Sequence, residues 1–321
     1  MKLGVLTVLL GGQKLEEALQ YLSSLGVEMV EIGTGGYPGT AHADPDILLH
    51  DPVAFETFRS FFVKYQLKIS SLSCHGNPVH PDKKTAEYYH TTFEKTVLLA
   101  EKLGIHHVNT FSGCPGGSLA DLTPNWVTCA WPDDFAKILE YQWTEVLIPY
   151  WKKAVAFAKA HGVTKIGLEM HPGFCVYNPE SLMKLRNAVG EEIGANFDPS
   201  HLIWQGINPV SAIKYLGRAI HHFHAKDTKM DADNVAINGV LDLKRYDNEL
   251  ERSWVFRTVG YGTSESVWRD MFSMLRLVGY DYAISIEHED SLMSINEGLE
   301  KAIEFLKPML LKEQPAKAWW I

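Results

Sequence analysis

The sequence predicts an α/β protein, a (β/α)8 TIM barrel forming a single domain over residues 1–321. Three observations carry that expectation. Short apolar, β-type runs alternate with helical runs along the whole chain, eight such pairs can be traced, and no shift in composition marks an internal boundary. A chain of 321 residues is also long enough to bury the core of such a barrel. Two doubly wound domains are the structural alternative, but no Gly-x-Gly-x-x-Gly follows the first strand and no lysine-bearing phosphate loop is present.

Taken in order, Leu3 to Thr7 is strand-like, and Leu15, Ala18, Leu19 and Leu22 then share one helical face. Gly26 ends that helix before a second strand, Val27 to Gly33. A helix over Val53 to Tyr65 leads into a third strand, Leu67 to Cys74, which runs out into His75-Gly76-Asn77-Pro78. A helix from Lys84 to Leu103 stops at Gly104, and a fourth strand, Val108 to Phe111, enters a Gly-rich loop. After a long loop holding Trp126 and Trp131, a long helix reaches about His161. Strand five is Ile166 to Glu169, strand six Ile193 to Phe197, strand seven Ala219 to His224 and strand eight Tyr282 to Ile286. Helices are expected over Glu180 to Val189, Pro209 to Leu216, Ser264 to Val278 and Ser294 to Leu311. The polar stretch 228–256 has no clean period, so it is expected to be a lid or insertion loop. The apolar end of the tail, 312–321, suggests docking against a partner subunit and hence a homo-oligomer, a dimer or tetramer.

Composition narrows the function. With 46% hydrophobic and 21% charged residues the chain reads as globular, and a net charge of −9 argues against gripping nucleic-acid phosphates or an anionic membrane. No apolar run reaches the roughly 18 residues of a bilayer span. The first ten residues lack a small-residue cleavage site and run straight into helical pattern, so they read as a strand; cytoplasmic location is the default expectation. Cys74, Cys114, Cys129 and Cys175 show no CxxC pairing, which favours free thiols over disulfides or a thiolate metal site.

Four apolar runs share one grammar. Each delivers a carboxylate or imidazole where the strand gives way to a loop: Glu169, Asp198, His224 and Glu287. In a barrel those strand ends converge on the C-terminal face. Three carboxylates and one imidazole suit one hard or borderline divalent ion, Mn2+ or Zn2+ first, with Mg2+ and Co2+ also fitting. Taken singly, each has a bland reading: a salt-bridged Glu169, an Asp198 that caps the turn at Pro199, core histidines at His222 and His224. Four together on consecutive strands favour the metal.

At this point the chain resembles the xylose-isomerase-like barrels, the sugar phosphate isomerase/epimerase family within the AP endonuclease 2 superfamily. The resemblance covers nearly the whole chain. It rests on Leu168-Glu169-Met170-His171-Pro172-Gly173, Asn196-Phe197-Asp198-Pro199-Ser200-His201, His222-Phe223-His224-Ala225-Lys226-Asp227, Arg257-Thr258-Val259-Gly260-Tyr261-Gly262 and Ser285-Ile286-Glu287-His288-Glu289-Asp290. It implies metal ligation by Glu169, Asp198, His224 and Glu287, with Glu169 and Glu287 as proton-transferring carboxylates. It further implies that His201 contacts a substrate hydroxyl, and that Lys226, Arg257 and His75 line a pocket for a sugar or polyol derivative. The implied reaction is isomerisation or epimerisation through a metal-stabilised enediolate.

The ketose 3-epimerases of that family carry a second glutamate where this chain has Cys175, and an arginine where it has Met230. Dehydration of an inosose and cleavage of a 3-keto-glycoside therefore stay open as lyase alternatives. A non-catalytic sugar-binding barrel is a third reading. The type IV apurinic endonucleases are the rival of another class, and His75 fits their third-strand histidine. Asn109 stands where they have a strand-four histidine, the Asp231-Ala232-Asp233 region lacks their second histidine, and the chain is acidic.

Several lesser features have two readings each. Gly35-Gly36 and Gly116-Gly117 read as phosphate cradles or as plain turns. His288, Glu289 and Asp290 support the last ligand or form a solvated charge run, and His171 bonds a neighbouring loop or faces the site. Tyr37, Trp126, Trp131 and Phe174 wall the pocket or serve subunit contacts.

Overall fold

The computed structural model describes residues 1–314 and 320. Its strands are β1 (Lys2–Leu6), β2 (Met29–Gly33), β3 (Lys68–Ser73), β4 (His107–Thr110), β5 (Lys165–Glu169), β6 (Ile193–Phe197), β7 (Ile220–Ala225), β8 (Asp227–Met230), β9 (Trp254–Arg257) and β10 (Ala283–Ile286). Eight of them close a parallel barrel in the order β1-β10-β7-β6-β5-β4-β3-β2, while β8 and β9 form a separate antiparallel ribbon. The eight expected strands are the eight barrel strands, and their expected ends differ from the observed ones by at most two residues. All four cysteines are free thiols, three of them buried. No helix among the described residues is long and apolar enough to cross a membrane. The expected docking of the tail falls largely on residues 315–319 and 321, which lie outside the described residues.

Local chemistry explains the helix starts and stops. Asp51 accepts hydrogen bonds from the Val53 and Ala54 amides at 2.8 and 3.0 Å and precedes Pro52, so the helix Pro52–Tyr65 begins there. The helix Lys83–Leu103 ends on Gly104 in the left-handed region, φ 71°. The long helix before strand five has three parts: Asp133–Tyr141, a wide π-helical turn over Gln142–Leu147, and Ile148–Ala160. Pro149, which has no amide hydrogen to give the preceding turn, sits just beyond the widened stretch. Two short helices, Pro45–His50 and Pro199–Ile203, are absent from the sequence reading because five or six residues carry no period.

Side chains of a strand alternate between the helix layer and the barrel interior. The outer set is apolar: Ile166 and Leu168 of β5, Ile193 and Phe197 of β6, Phe223 of β7, and Ile284 and Ile286 of β10 are all essentially fully buried in the main core. The inner set is polar, unlike the branched apolar layers that usually fill such barrels. Glu31, Ser71, Ser73, Asn109, Asn196, His222, His224 and Ser285 are all buried there and joined by hydrogen bonds. Gly167 belongs to this inner face because any side chain on it would collide with the Asn109 amide oxygen.

The stretch 228–256, expected to be a lid or insertion loop, holds short regular elements at its two ends. β8 pairs antiparallel with β9, Asp227 opposite Arg257 and Met230 opposite Trp254, and a short helix, Ala232–Asn238, lies between them. Four-residue strands paired across more than twenty residues leave no local period to read. Trp254 stacks on Trp204, ring centroids 4.6 Å apart and ring planes nearly parallel, which seats the ribbon against the helix after β6. Its return segment is held by one buried carboxylate. Asp227 accepts from the amides of Gly260, Gly262 and Thr263 at 3.0–3.2 Å, from the Thr263 hydroxyl at 2.7 Å and from the Trp268 indole at 3.3 Å. Replacing it strands several donors at once, so Asp227→Ala is expected to lower stability by roughly 3 kcal/mol or more in urea unfolding. An unchanged midpoint would refute that role.

At the opposite end of the barrel, burial pushes the His221 imidazole down to about 3 and that of His107, stacked on Tyr282, down to about 2, with Lys165 adding to both shifts. Below the free-histidine value of about 6.5 the unfolded chain takes up protons that these folded histidines refuse. Stability therefore falls as pH drops from about 6.5 toward 3, by up to about 1.4 kcal/mol per pH unit for each group. The variant His221→Gln should flatten the acid limb of a thermal-midpoint-against-pH curve. A slope equal to wild type would remove His221 from the explanation.

Candidate metal centre

Each expected ligand arrives from the inner register of its strand. Glu169 closes β5, His224 sits near the end of β7, and Glu287 follows β10, with its amide bonded to the Ala225 carbonyl at 3.2 Å. Asp198 ends the β6 segment and caps the helix Pro199–Ile203, its Oδ1 accepting from the Ser200 amide at 2.8 Å. Potential ligand atoms of Glu169, Asp198, His224 and Glu287 all lie within 4.8 Å of one another. Two further trios also bring ligand atoms that close, Glu169–His171–His201 and Glu31–His222–His224.

Imidazoles and one ammonium surround the carboxylates. His201 Nε2 is 2.9 Å from Glu169 Oε1 and 3.2 Å from Asp198 Oδ2. His75 Nε2 lies 3.1 Å from Glu169 Oε2, but off the angles of a hydrogen bond. His224 Nδ1 is 2.9 Å from Glu287 Oε2 and 3.5 Å from Glu169 Oε2, and its Nε2 is 2.8 Å from Glu31 Oε2. The buried Lys226 Nζ stands 2.6 Å from Glu289, 3.5 Å from Glu287 and 3.8 Å from Asp198. Arg257 is held elsewhere: its Nε pairs with Asp290 at 3.1 Å, and Asp290 also caps the Thr258 amide.

The electrostatics follow from burial and pairing. Burial works to raise Glu169, yet hydrogen bonds from His201 and His224 hold it well below the carboxylate range. Burial also opposes the ionisation of Glu287, but Lys226 and His224 bring it down to about 2. Asp198 goes the other way: burial, helped by Glu169 and Glu287, pushes it up to about 6 against His201 and Lys226. Lys226 is held well above its usual value because Glu287, Glu289 and Asp198 outweigh its burial.

The donor set fits a divalent cation. Asp198 Oδ2 and Glu287 Oε2 are buried, and although they lie 3.2 and 2.9 Å from His201 and His224, neither accepts a well-aligned hydrogen bond from the described residues. Asp198 is also the carboxylate whose burial outweighs the help of His201 and Lys226, so a cation beside it would relieve an uncompensated charge. Oxygen-rich ligation with one imidazole matches hard and borderline ions.

A cavity of about 170 Å³ opens beside these groups, lined by Tyr37, His75, Phe111, Glu169, Lys226 and Glu287 among others. Arg257 is not among its lining residues. A wider cavity of about 640 Å³ adjoins it through His171 and Glu289, walled by Tyr246 and Phe256 of the ribbon segment. Another of about 590 Å³, between the helices Lys83–Leu103 and Ile148–Ala160, lies away from the carboxylates. Volume does not locate the site; convergent ligand chemistry does.

The lesser features now have places. Glu289 and Asp290 pair with Lys226 and Arg257, and the His288 ring packs over Gly298, where any side chain would clash with it. His171 bonds the Pro172 carbonyl through Nδ1 at 2.6 Å while its ring lies 4.1 Å from that of His201. Phe174 stacks on Phe111, and Trp126 packs edge-on against Tyr177. The sequence alone assigns no structural role to Glu31, Ser73, Asn109, Asn196 and Ser285; inside the barrel Glu31 and Asn196 meet His224, and Ser73, Asn109 and Ser285 bond Glu31. Their signal was the period-2 polar series Ser71, Ser73, His75 and Asn196, Asp198 and His222, His224, Lys226.

A closed parallel barrel carrying a cluster of metal-ligating side chains at the C-terminal ends of its strands defines a class of metal-binding barrels. The chain belongs to one family of that class, the xylose isomerase-like TIM barrels, whose model matches residues 19–309. It is 40% identical over 309 residues to the uncharacterized protein YfiH of Bacillus subtilis, covering 96% of this chain and 98% of that one. It is 29% identical over 157 residues to an inosose dehydratase of Clostridium botulinum, 45% of this chain and 50% of that one. Among solved structures, the zinc-binding IOLI protein shares the fold at 19% identity with a TM-score of 0.65, covering 96% of both chains.

Proposed function

We propose that the chain is a divalent-metal-dependent sugar or sugar phosphate isomerase or epimerase that moves a proton next to a carbonyl. The observation that carries this reading is the convergence of Glu169, Asp198, His224 and Glu287 around one point beside a cavity lined by an ammonium and an imidazole. Glu169, Asp198, His224 and Glu287 would hold a divalent ion, which when bound would supply Lewis-acid polarisation to the sugar.

The chain's own residues do the rest. Glu169 and Glu287 are held ionised at neutral pH, as a base requires, and both face the cavity. One takes the proton from the carbon between the two substrate oxygens; the carboxylic acid so formed returns that proton to the neighbouring carbon in an isomerisation, whereas in an epimerisation the other carboxyl, first protonated from solvent, delivers a proton to the opposite face. His201 and His75 fix the Glu169 carboxylate and stand ready to bond a substrate hydroxyl. Lys226, kept cationic, faces the negative charge that develops on the substrate. Arg257 contributes by ordering the segment after β10 through Asp290. The half-length match to an inosose dehydratase supports a second reading, a lyase that begins with the same proton abstraction.

Protein reconstituted with Mn2+ or Zn2+ is expected to retain about one ion per chain by elemental analysis, as four ligands around one centre imply. Retention of none would overturn the assignment. In D2O the loaded protein should exchange the carbon-bound proton of an α-hydroxy ketose or an inosose, followed by NMR. Either Glu169→Gln or Glu287→Gln should slow that exchange by about 100-fold or more. Ketose and inosose panels with neither exchange nor conversion would instead favour a sugar-binding barrel. Abasic duplex DNA should stay intact under the same conditions; metal-dependent incision would promote the nuclease reading.

A further inference from the structure

We propose that Glu31 is a positioning residue, whose carboxylate holds the Nε2 proton of His224 so that the ring presents Nδ1 to a divalent ion. The inference rests on the metal reading above and adds to it a residue outside the four-ligand set.

The geometry is specific. Glu31 lies on β2, across the barrel from β7, and is completely buried. Its Oε2 accepts from His224 Nε2 at 2.8 Å and from Ser285 Oγ at 3.0 Å. Its Oε1 accepts from Asn109 Nδ2 at 2.8 Å and from the Ser73 hydroxyl. The four acceptor directions of a carboxylate are thereby used, with donors from β3, β4, β7 and β10. Glu31 is thus occupied as an acceptor, which sets the trio it forms with His222 and His224 apart from the group around Glu169. His222 Nδ1 is likewise engaged, 3.1 Å from Asn196 Oδ1.

A neutral imidazole carries its proton on one nitrogen and its lone pair on the other. With a divalent ion bound, a carboxylate at Nε2 keeps the ring proton there and leaves the Nδ1 lone pair for the ion, on the side of the ring that faces Glu287 and Glu169. Metal-bound histidines are commonly oriented by an acceptor of this kind, which also makes the ligand nitrogen more basic. The strands impose the pairing: Glu31, Ser73, Asn109 and Ser285 all belong to the inner registers of neighbouring strands.

The test uses full-length protein loaded with Zn2+ and labelled with 15N-histidine. NMR is expected to show a protonated Nε2 and a zinc-shifted Nδ1 on His224. Zinc on Nε2 would overturn the proposal even if Glu31→Gln failed to fold. In chelator competition, Glu31→Gln should weaken Zn2+ binding by about 10- to 100-fold. The same substitution should have no effect when His224 is already replaced by alanine. A folded Glu31→Gln with wild-type zinc affinity would leave Glu31 a structural core residue and refute the positioning role. A wild type that binds no Zn2+ or Mn2+ would sink the metal reading and this inference together, whereas zinc bound through Nε2 sinks only the inference.

Discussion

At the centre of the barrel a buried carboxylate, Glu31, accepts hydrogen bonds from four side chains on four different segments. An ionised group in that position would be prohibitive unless every acceptor direction were met. Burial works against the charge, and the neighbouring His224 and His222, with hydrogen bonds from His224 and Ser73, hold its pKa far below the carboxylate range. The polar inner lining of the barrel is the set of partners this charge requires. Ser71 extends it through Asn109, and Asn196 through His222. A barrel filled with branched apolar layers would have no such network, and no means of fixing an imidazole that points upward into the site.

The network hands its orientation to the mouth of the barrel. Three carboxylates and His224 crowd one point, with Lys226 as the buried ammonium beside them. Burial pushes Asp198 up, with Glu169 and Glu287 adding to it, whereas the neighbouring histidines hold Glu169 down and Lys226 with His224 holds Glu287 down against the same burial. Around this point the side chains that complete the pocket come from loops, and those loops are themselves stapled by acids: Asp227 ties residues 260–263, and Asp290 ties Arg257 and Thr258. Acidic residues thus serve twice, as ligands at the strand ends and as anchors for the segments around them.

Much of this was legible along the chain. The eight barrel strands, and the carboxylates and imidazole at their ends, follow from alternation and from the position of a polar residue at the end of an apolar run. What escaped is of two kinds. Short elements such as Pro199–Ile203 and the β8–β9 ribbon carry too few residues for a period, and the ribbon depends on a partner far along the chain. Glu31 escaped because a single glutamate inside a strand looks like any solvent-facing residue of an amphipathic strand. Only its four partners, 40 to more than 250 residues away, reveal which face it occupies.

By itself the sequence determined the fold class and the list of groups that can hold a cation, because hydrophobic periodicity and residue chemistry are local properties. The tertiary structure decided which of those groups meet. Barrel closure brings β2 to within three strands of β7, so Glu31 reaches His224 across the interior, and the separate ribbon carries Arg257 to Asp290 rather than to the carboxylate cluster. Register makes the difference: a one-residue slip in any strand would turn its inner polar side chain to the helix layer. Such registers are set by pairing between distant segments, and no single segment contains them.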